Sequence, residues 1–431
     1  MDKETIAVIV SLVGAALTVL GIIAAWAWRG SRRGSGPSAA GRAVAAGRDI
    51  RGPVATGEHA AAADHGAVAM AGTERTTVIT AQPGSTVNVY YDGLPQAKGQ
   101  VHDHFEEGER LQDADQHDAA IREFEKAFAA AENDRQRCAL HLLIGNSFLL
   151  TSRLAEAEGR YREALDAAQR AEDREGRAVA LGNVGGVHYI RGELDKAEEH
   201  YKKALAIDEE IGNRLGQANQ LGNLGMVYGR RDDLAGAEAH FRRALAIDEE
   251  TGNRLGQAED LGNLGRVYFQ RGELDKAEDH LKRALAIHKK IGNRLGQAED
   301  LGSLALVYAE RGEPDKAEEH HKKALAIEEE IGNRFGQASD LGNLGNVYRQ
   351  RDDLDKAEEH YKKALAIDEE IGNRLGQANQ LGNLGLLAEE RGDADKARRL
   401  LNQAKALHEA IGAGGEGREI VREALERLES E

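Results

Sequence analysis

The sequence is poor in cysteine and proline, and both shortages constrain what the chain can be. Its 431 residues include one cysteine, Cys138, so no disulfide can form within the chain, which fits a reducing compartment. We interpret Cys138 as a core residue rather than as a reactive thiol. Only five prolines occur, and four of them precede residue 100. Composition therefore divides the chain sharply near residue 100.

Charge follows the same division. Residues 1–100 contain nine Lys or Arg and seven Asp or Glu, a net charge of +2, whereas the rest of the chain carries −19. An array this acidic repels the phosphate backbone, so nucleic acid is not an expected partner. The negative charge favours either a partner with basic residues or simple solubility, and both interpretations stay open.

Residues 6–28, from Ile6 to Trp28, contain no charged side chain. A helix of this length spans about 35 Å, which is enough to cross a bilayer. Trp26 and Trp28 stand at its end, where aromatic rings prefer the membrane interface, and three arginines follow at once. The positive-inside rule then predicts a single-pass transmembrane helix at residues 5–28 in the cell membrane. The leader, residues 1–4, is expected outside the cell and the rest of the chain in the cytoplasm.

Two segments separate this candidate membrane helix from the acidic part. Residues 29–72 are rich in Gly and Ala, which predicts a flexible linker; a small β-solenoid of recurring Val-Ala turns is the alternative. Residues 73–100 contain two β-branched runs around a Pro-Gly turn, which predicts a β-hairpin. An isolated hairpin is marginal in water, so we expect it to pair with another copy or to pack on the rest of the chain.

The acidic part is built from a repeated unit of 40 residues. Residues 213–252 read NRLGQANQLGNLGMVYGRRDDLAGAEAHFRRALAIDEETG, and the pattern then starts again. The copies are close, since residues 201–225 and 361–385 are identical. A fixed period of this length is the sequence signature of a solenoid or repeat array.

Each unit carries two apolar stripes at helical spacing, which predicts two helices. The two stripes comprise Leu221, Leu224, Gly225 and Tyr228, and then Ala237, Phe241 and Ala244. Gly212 and Asn213 stand between two units. Glycine suits the left-handed residue that ends one helix, and asparagine suits the N-cap of the next. Pro314 replaces a leucine just before one second helix and marks the start of that helix.

These stripes resemble the tetratricopeptide repeat, because all seven positions fall on its pattern. The sequence departs from the pattern where Leu221 stands in place of a frequent Trp, and where Glu249 stands in place of a helix-ending Pro. Without that proline the second helix can run on, which accounts for a period of 40 residues rather than about 34. The unit therefore looks like the long repeats of Pins/LGN-type scaffolds and kinesin light chains, over roughly three quarters of the chain.

The resemblance implies an all-α fold, a right-handed superhelical solenoid of helix-turn-helix repeats. The register predicts eight repeats over residues 101–412, with the first two degenerate. Residues 413–431 are predicted to form a charged capping helix, as a stacked array requires at its end. The transmembrane helix and the hairpin would precede this solenoid.

No motif in the sequence indicates catalysis, a cofactor or a metal. Histidines recur every 40 residues on the second helices, but each unit supplies one, and neighbouring helices stand about 8–10 Å apart, too far for ligands of one ion. The recurring glycines lie inside a helix, with no preceding strand and no P-loop lysine. We therefore predict a protein that is not an enzyme and needs no cofactor.

The differences between the repeats gather on one face of the first helices, which predicts a binding face. In the resembling family this face lines the concave groove, and in long-repeat members asparagines there bind an extended peptide backbone. The matching positions, which we call the asparagine ladder, are Asn183, Asn223, Asn263, Ser303, Asn343 and Asn383. The varied neighbours on the same face include Met226, Arg230, Arg266, Gln270, Leu306 and Asn346. The simpler alternative is that these residues merely solvate a helix face.

Two functions therefore remain at the level of sequence. The first is a membrane-anchored, non-catalytic scaffold that binds a peptide segment of a protein partner in the groove. The alternative is a structural homo-oligomer that assembles through residues 30–100 and uses the solenoid as an arm.

Overall fold

A computed structural model describes residues 77–82, 85–89, 99–113, 116–411 and 416–430. The predicted leader, membrane helix and linker, residues 1–72, lie outside the described residues. Within the described part of the chain, no helix combines the length and the apolar character needed to cross a bilayer.

Beyond residue 99 the described chain is helical, which confirms the predicted all-α solenoid. The helices contain 13 to 18 residues and are joined by short turns. In chain order they are α1 Gln100–Asp113, α2 His117–Ala129, α3 Asp134–Leu150, α4 Leu154–Arg170, α5 Arg174–Ile190, α6 Leu194–Ile211, α7 Arg214–Arg230, α8 Leu234–Thr251, α9 Arg254–Gln270, α10 Leu274–Ile291, α11 Arg294–Glu310, α12 Pro314–Glu330, α13 Arg334–Gln350, α14 Leu354–Glu370, α15 Arg374–Glu390, α16 Ala394–Ala410 and α17 Glu416–Ser430.

Before the helices, two short strands form an antiparallel pair. β1 spans Thr77–Gln82 and β2 spans Ser85–Val89, with Ile79 opposite Val87. The register shifts near Gln82, next to the predicted turn, whose residues 83–84 are not among those described. The strands fall on the two β-branched runs of the sequence.

The described helices divide into two compact units: one holds the chain up to Leu264 together with residues 290–293, and the other holds residues 265–289 and the chain from Arg294 onward. In each unit the first helix of a pair packs on the second, and the second packs on the first helix of the next pair. The final helix, α17, packs on α15 and α16 through Val421, Ala424, Leu425 and Leu428. An apolar face is thereby covered at the end of the array, as expected of a cap.

Recurring residues set the helix boundaries. Gly212 has a left-handed φ of 72°, and the side chain of Asn213 accepts a hydrogen bond from the backbone N–H of Gly216 at 3.1 Å. Pro314 occupies the first turn of α12, where its missing N–H is tolerated. These observations confirm the boundaries read from the sequence at all three positions.

Glycine at the centre of every first helix except α11, which has Ala305 there, makes room for a large side chain of the second. A Cβ atom at Gly225 would lie 2.7 Å from the Phe241 ring, and one at Gly265 would lie 2.6 Å from Leu281. No carbon atoms pack that closely, so these positions exclude even alanine without repacking. The two helices of a pair are thus held by glycine against Phe, Tyr or Leu.

Candidate functional site

The asparagine ladder lies on successive first helices and is buried throughout. Its members range from 0% exposed at Asn383 to 8% at Ser303. This burial rules out the simpler interpretation, in which these residues only solvate an exposed helix face. A buried amide needs hydrogen-bond partners, because its transfer out of water is otherwise unfavourable.

Two members of the ladder have amides that are not satisfied by the described residues. At both Asn343 on α13 and Asn383 on α15, Nδ2 and Oδ1 are buried and have no hydrogen-bond partner there. More than nine in ten buried polar groups in native proteins are paired, so each such amide calls for an explanation. Together they present two donors and two acceptors that a ligand could use.

The varied neighbours of the ladder differ in how open they are. Met226 is buried, whereas Arg266, Gln270 and Leu306 are half-buried. Arg230 is also half-buried, and its guanidinium lies 4.5 Å from the centre of the Tyr189 ring and donates to the Tyr189 carbonyl. Arg230 thereby links α7 to α5.

Asn346 has a structural role that the sequence did not indicate. Its Oδ1 accepts a hydrogen bond from the hydroxyl of Tyr361 at 2.8 Å, between the two helices of one pair. The same contact occurs in the second pair, where Tyr161 donates to Asn146 at 2.7 Å. A recurrence of Asn in the first helix with Tyr fifteen residues later could have revealed it.

An ion pair joins the first helices of the last two pairs. Arg349 on α13 donates to Glu390 on α15 at 2.6 and 2.8 Å, and its side chain is only 7% exposed. Its Nη1 is buried without a hydrogen-bond partner in the described chain. The comparison of repeats in the sequence did not single out Arg349.

A second set of buried polar groups lies between successive pairs. Asp208, Asp248 and Asp368 end the second helices, and each accepts a hydrogen bond from the following N-cap asparagine at 2.8–3.0 Å. Burial raises the pKa of Asp208 and Asp368 to about 7 and that of Asp248 to about 6. These carboxyl groups are therefore partly protonated near neutral pH.

The buried polar residue that the next first helix contributes changes from boundary to boundary. Gln220 and Gln380 stand at two of them, and both are buried. Asp260 stands at another, where burial, and then the nearby carboxyls of Asp248 and Glu259, raise the pKa of Asp260 well above its ordinary value. An acid beside an acid can be buried here because it is held in its neutral form.

At two further boundaries an imidazole meets the acid. Nδ1 of His288 lies 2.7 Å from Oδ2 of Asp300, and Nδ1 of His321 lies 3.0 Å from Oδ1 of Asp340. All four side chains are at least nine-tenths buried. His288 stands where three other repeats have Asp, one has Glu and the last also has His, and His321 stands where other repeats have Tyr, Phe or Leu.

A glutamate on each of several second helices binds the first helix of the next pair. Glu198 accepts hydrogen bonds from Tyr228 at 2.9 Å and from Arg231, and Glu278 accepts equivalent bonds from Tyr308 and Arg311. Burial raises the pKa of Glu198, but the donors Lys202, Arg231 and Tyr228 outweigh that effect and lower it to about 2. These contacts recur with the period of the sequence and join neighbouring pairs.

Histidines also recur on the second helices. Among the described residues, however, no three His, Cys, Asp or Glu side chains converge as a metal site. Nδ1 of His240 lies 2.8 Å from the carbonyl of Gly236, and its ring stacks on Tyr228 at 4.8 Å between centres. His280 and His320 lie at a similar distance from Tyr268 and Tyr308, 4.9 Å between ring centres, but their rings are tilted by 53° and 52° rather than stacked. The recurring imidazoles thus pack against their own pair. Cys138 is fully buried, as predicted, and burial raises its pKa to about 12.

Comparison with known proteins gives one family and a set of similar folds. The family model described as Tetratricopeptide repeat matches residues 135–210, 216–290, 261–330 and 337–410. None of the curated proteins matches the sequence.

Among solved structures, the apo form of RapI is 15% identical with a TM-score of 0.53, and the match covers 64% of this chain and 99% of that one. A Rap protein complexed with competence and sporulation factor is 17% identical with a TM-score of 0.52, covering 77% and 98%. A signal transduction ATPase from Pyrococcus horikoshii, which has a tetratricopeptide repeat sensor, is 15% identical with a TM-score of 0.56, covering 78% and 53%. At these identities the likeness extends to the fold alone.

Proposed function

Because this chain belongs to the tetratricopeptide repeat family, we propose that it is a non-catalytic scaffold that binds an extended segment of a protein partner along its first helices. The repeat fold is consistent with protein–protein interaction. The single observation that carries peptide binding is the pair of buried, unsatisfied amides at Asn343 and Asn383.

The chemistry of these amides suits a peptide main chain. A carboxamide offers both a donor and an acceptor, and each peptide unit needs one of each. Asn343 and Asn383 occupy the same position of neighbouring first helices, which stand about 8–10 Å apart in packed pairs. An extended chain covers that distance in about three residues, so two asparagines can hold every third peptide unit.

Selectivity would come from the residues that differ between repeats. Leu306 offers an apolar contact, whereas Arg266 and Gln270 offer polar ones, and all three are half-buried. The net charge of −19 beyond residue 100 would favour a segment with basic residues around the bound core. One solved structure of similar fold, a Rap protein, is a complex with competence and sporulation factor. That complex makes ligand binding by such a fold reasonable here too.

The uncharged run at residues 6–28 supports a place for this scaffold at the cell membrane, with the repeats in the cytoplasm. We expect added protease to leave the repeats intact in whole cells and to digest them after lysis. Digestion in intact cells would contradict this topology.

The binding proposal is tested with Asn343→Ala combined with Asn383→Ala. A partner is first captured from native cytoplasm on the full chain and identified, and its affinity is then measured by calorimetry. Each substitution should weaken binding by about 1 kcal/mol, the net value of a hydrogen bond. Asn402, an exposed asparagine of α16 whose amide donates to the Arg398 carbonyl, supplies the matched control Asn402→Ala.

The stability of the free chain gives an independent readout of the same variants. Removing an unsatisfied buried amide should leave stability unchanged or raise it, because alanine has no polar group to desolvate. Weaker binding together with unchanged or higher stability is the expected combination. Unchanged affinity in the double variant would overturn the assignment of these two residues.

A further inference from the structure

The hairpin lies on the first helices of consecutive pairs. β2 packs against α3, α5 and α7, and β1 packs against α3. These three helices begin the second, third and fourth helix pairs. A single extended strand therefore contacts three successive first helices, as a partner segment is proposed to do above.

The composition of the strand suits this position. β2 reads STVNV, and neither β1 nor β2 contains a charged residue. An uncharged strand can approach an array of net charge −19 without repulsion, whereas an acidic strand could not. Each strand of a two-stranded sheet also keeps one edge of backbone N–H and C=O groups unpaired, and that edge needs partners when it is covered.

Contact with the helices is also expected to stabilise the hairpin. Two strands alone are marginally stable in water and need a further surface to pack on. The helices beneath β2 carry the ladder residues Asn183 and Asn223 and the apolar side chain of Met226. Because hairpin and helices belong to one chain, their effective concentration is high, and even a weak contact is populated.

We propose that the first helices of pairs two to four recognise an extended, uncharged, β-branched segment, and that β2 of the same chain is the resident occupant. This inference rests on the proposed function, because it assigns the chemistry of the bound segment at that face. A partner engaging α3, α5 and α7 must then resemble β2 or displace it, whereas Asn343 and Asn383 lie on helices outside this group.

The proposal is tested by thiol accessibility in the full chain. The native Cys138 is fully buried and its thiol pKa is raised, so we expect it not to react with the labelling reagent. The unsubstituted chain measures the background labelling at this cysteine. Met226→Cys places the reporter on the ladder face of α7, a helix that β2 contacts. Leu306→Cys on α11 holds the same position of the sixth pair and serves as the control.

Each reporter is measured with the intact hairpin and with Val87→Pro, which breaks the centre of β2 opposite Ile79. We expect Val87→Pro to speed labelling at Met226→Cys by roughly fivefold or more and to leave Leu306→Cys unchanged, as local opening of the hairpin requires. A synthetic peptide of residues 84–91, GSTVNVYY, should slow the labelling again. The same peptide with Val87→Asp and Val89→Asp should not.

Equal labelling of Met226→Cys with and without Val87→Pro would overturn the proposal, as would equal protection by the two peptides. No partner protein enters the labelling experiment. Its result is therefore independent of the calorimetry on Asn343→Ala and Asn383→Ala, and either proposal can be contradicted while the other is supported. The two proposals are thereby separable.

Discussion

At the scale of single residues, the turn between the two helices of a pair shows where the sequence is not optimal. Gly192, Gly272, Gly312 and Gly392 have left-handed φ values at this turn. Asp232 and Asp352 occupy the same position with φ of 61° and 62°. A residue with a Cβ is strained in this region, although Asp tolerates it better than most residues do.

Asp352→Gly should therefore stabilise the chain, by about 0.5 kcal/mol after the larger entropy of glycine in the unfolded state is subtracted. Gly312→Ala, the matched change in the opposite sense, should destabilise by about 1 kcal/mol. Urea midpoints of the two variants and of the parent chain provide the measurement. A lower midpoint for Asp352→Gly would mean that this aspartate makes a contact that outweighs its strain.

At the scale of helices, each boundary between pairs carries its own buried polar combination. The pair His321 and Asp340 is the most specific, because both side chains are essentially fully buried and lie 3.0 Å apart. At two other boundaries the equivalent positions hold Tyr with Gln, namely Tyr361 with Gln380 and Tyr201 with Gln220. At two more they hold an apolar residue with Asp, namely Phe241 with Asp260 and Leu281 with Asp300. Among these five boundaries, only that of His321 combines an imidazole with the acid at these two positions.

His321→Tyr alone should destabilise the chain by about 3 kcal/mol, since it removes the imidazole donor from a buried carboxyl group. Adding Asp340→Gln should recover most of that loss, because Tyr with Gln is the combination found at these two positions in two native boundaries. A double-mutant cycle from thermal unfolding measures the coupling. Simple additivity of the two changes would show that the pair is not coupled.

The helices could be predicted from the sequence, whereas these boundary groups could not. Gly212 and Asn213 predict a helix end and a helix start, because glycine adopts the left-handed φ and asparagine caps the next helix. The helix bounds therefore follow from the local sequence. Asp248 sits in the segment AIDEE among residues that face water, and nothing local shows that the next pair buries it beside Asp260. Its environment is set by a contact between helices, which periodicity does not report.

The candidate site shows the same limit. The register placed the asparagine ladder on one face of the first helices, but its near-complete burial depends on the packing of neighbouring pairs. The hydrogen bond from Tyr361 to Asn346 depends on side-chain reach between two helices, whereas the repeat pattern predicts only that Asn346 lies on the binding face. Arg349 was missed because its partner, Glu390, lies on the next pair.

At the scale of the whole molecule, the buried carboxyls impose a pH dependence on stability. The pKa values of Asp208 and Asp368 are raised to about 7 in the folded chain, far above the ordinary value of 3.8. The folded state therefore binds these protons more tightly than the unfolded state. The resulting stabilisation is complete below the unfolded pKa and is lost as pH rises through the folded pKa.

We expect the melting temperature to fall between pH 6.5 and pH 8. Burial lowers the pKa of His141 and His408 to about 4 in the folded chain. Below this window these two imidazoles therefore destabilise the folded state as the pH falls, which opposes the effect of the carboxyls. Asp208→Asn combined with Asp368→Asn keeps the oxygen that accepts from the N-cap asparagine and removes the titration. A melting temperature that depends less on pH in this double variant is the expected result, and an unchanged dependence would contradict it.

The identity of residues 201–225 and 361–385 extends to their surroundings. Asp208 and Asp368 are each 1% exposed, and their distances to the N-cap amides are 2.9 and 2.8 Å. An in-frame loss of residues 226–385 would remove four repeats and join two native halves at a boundary that already exists twice. Unequal recombination between such copies in the gene could therefore shorten or lengthen the array in whole repeats without creating a mismatched buried acid. The number of repeats can thus change between generations, because the packing at these boundaries is the same before and after such an event.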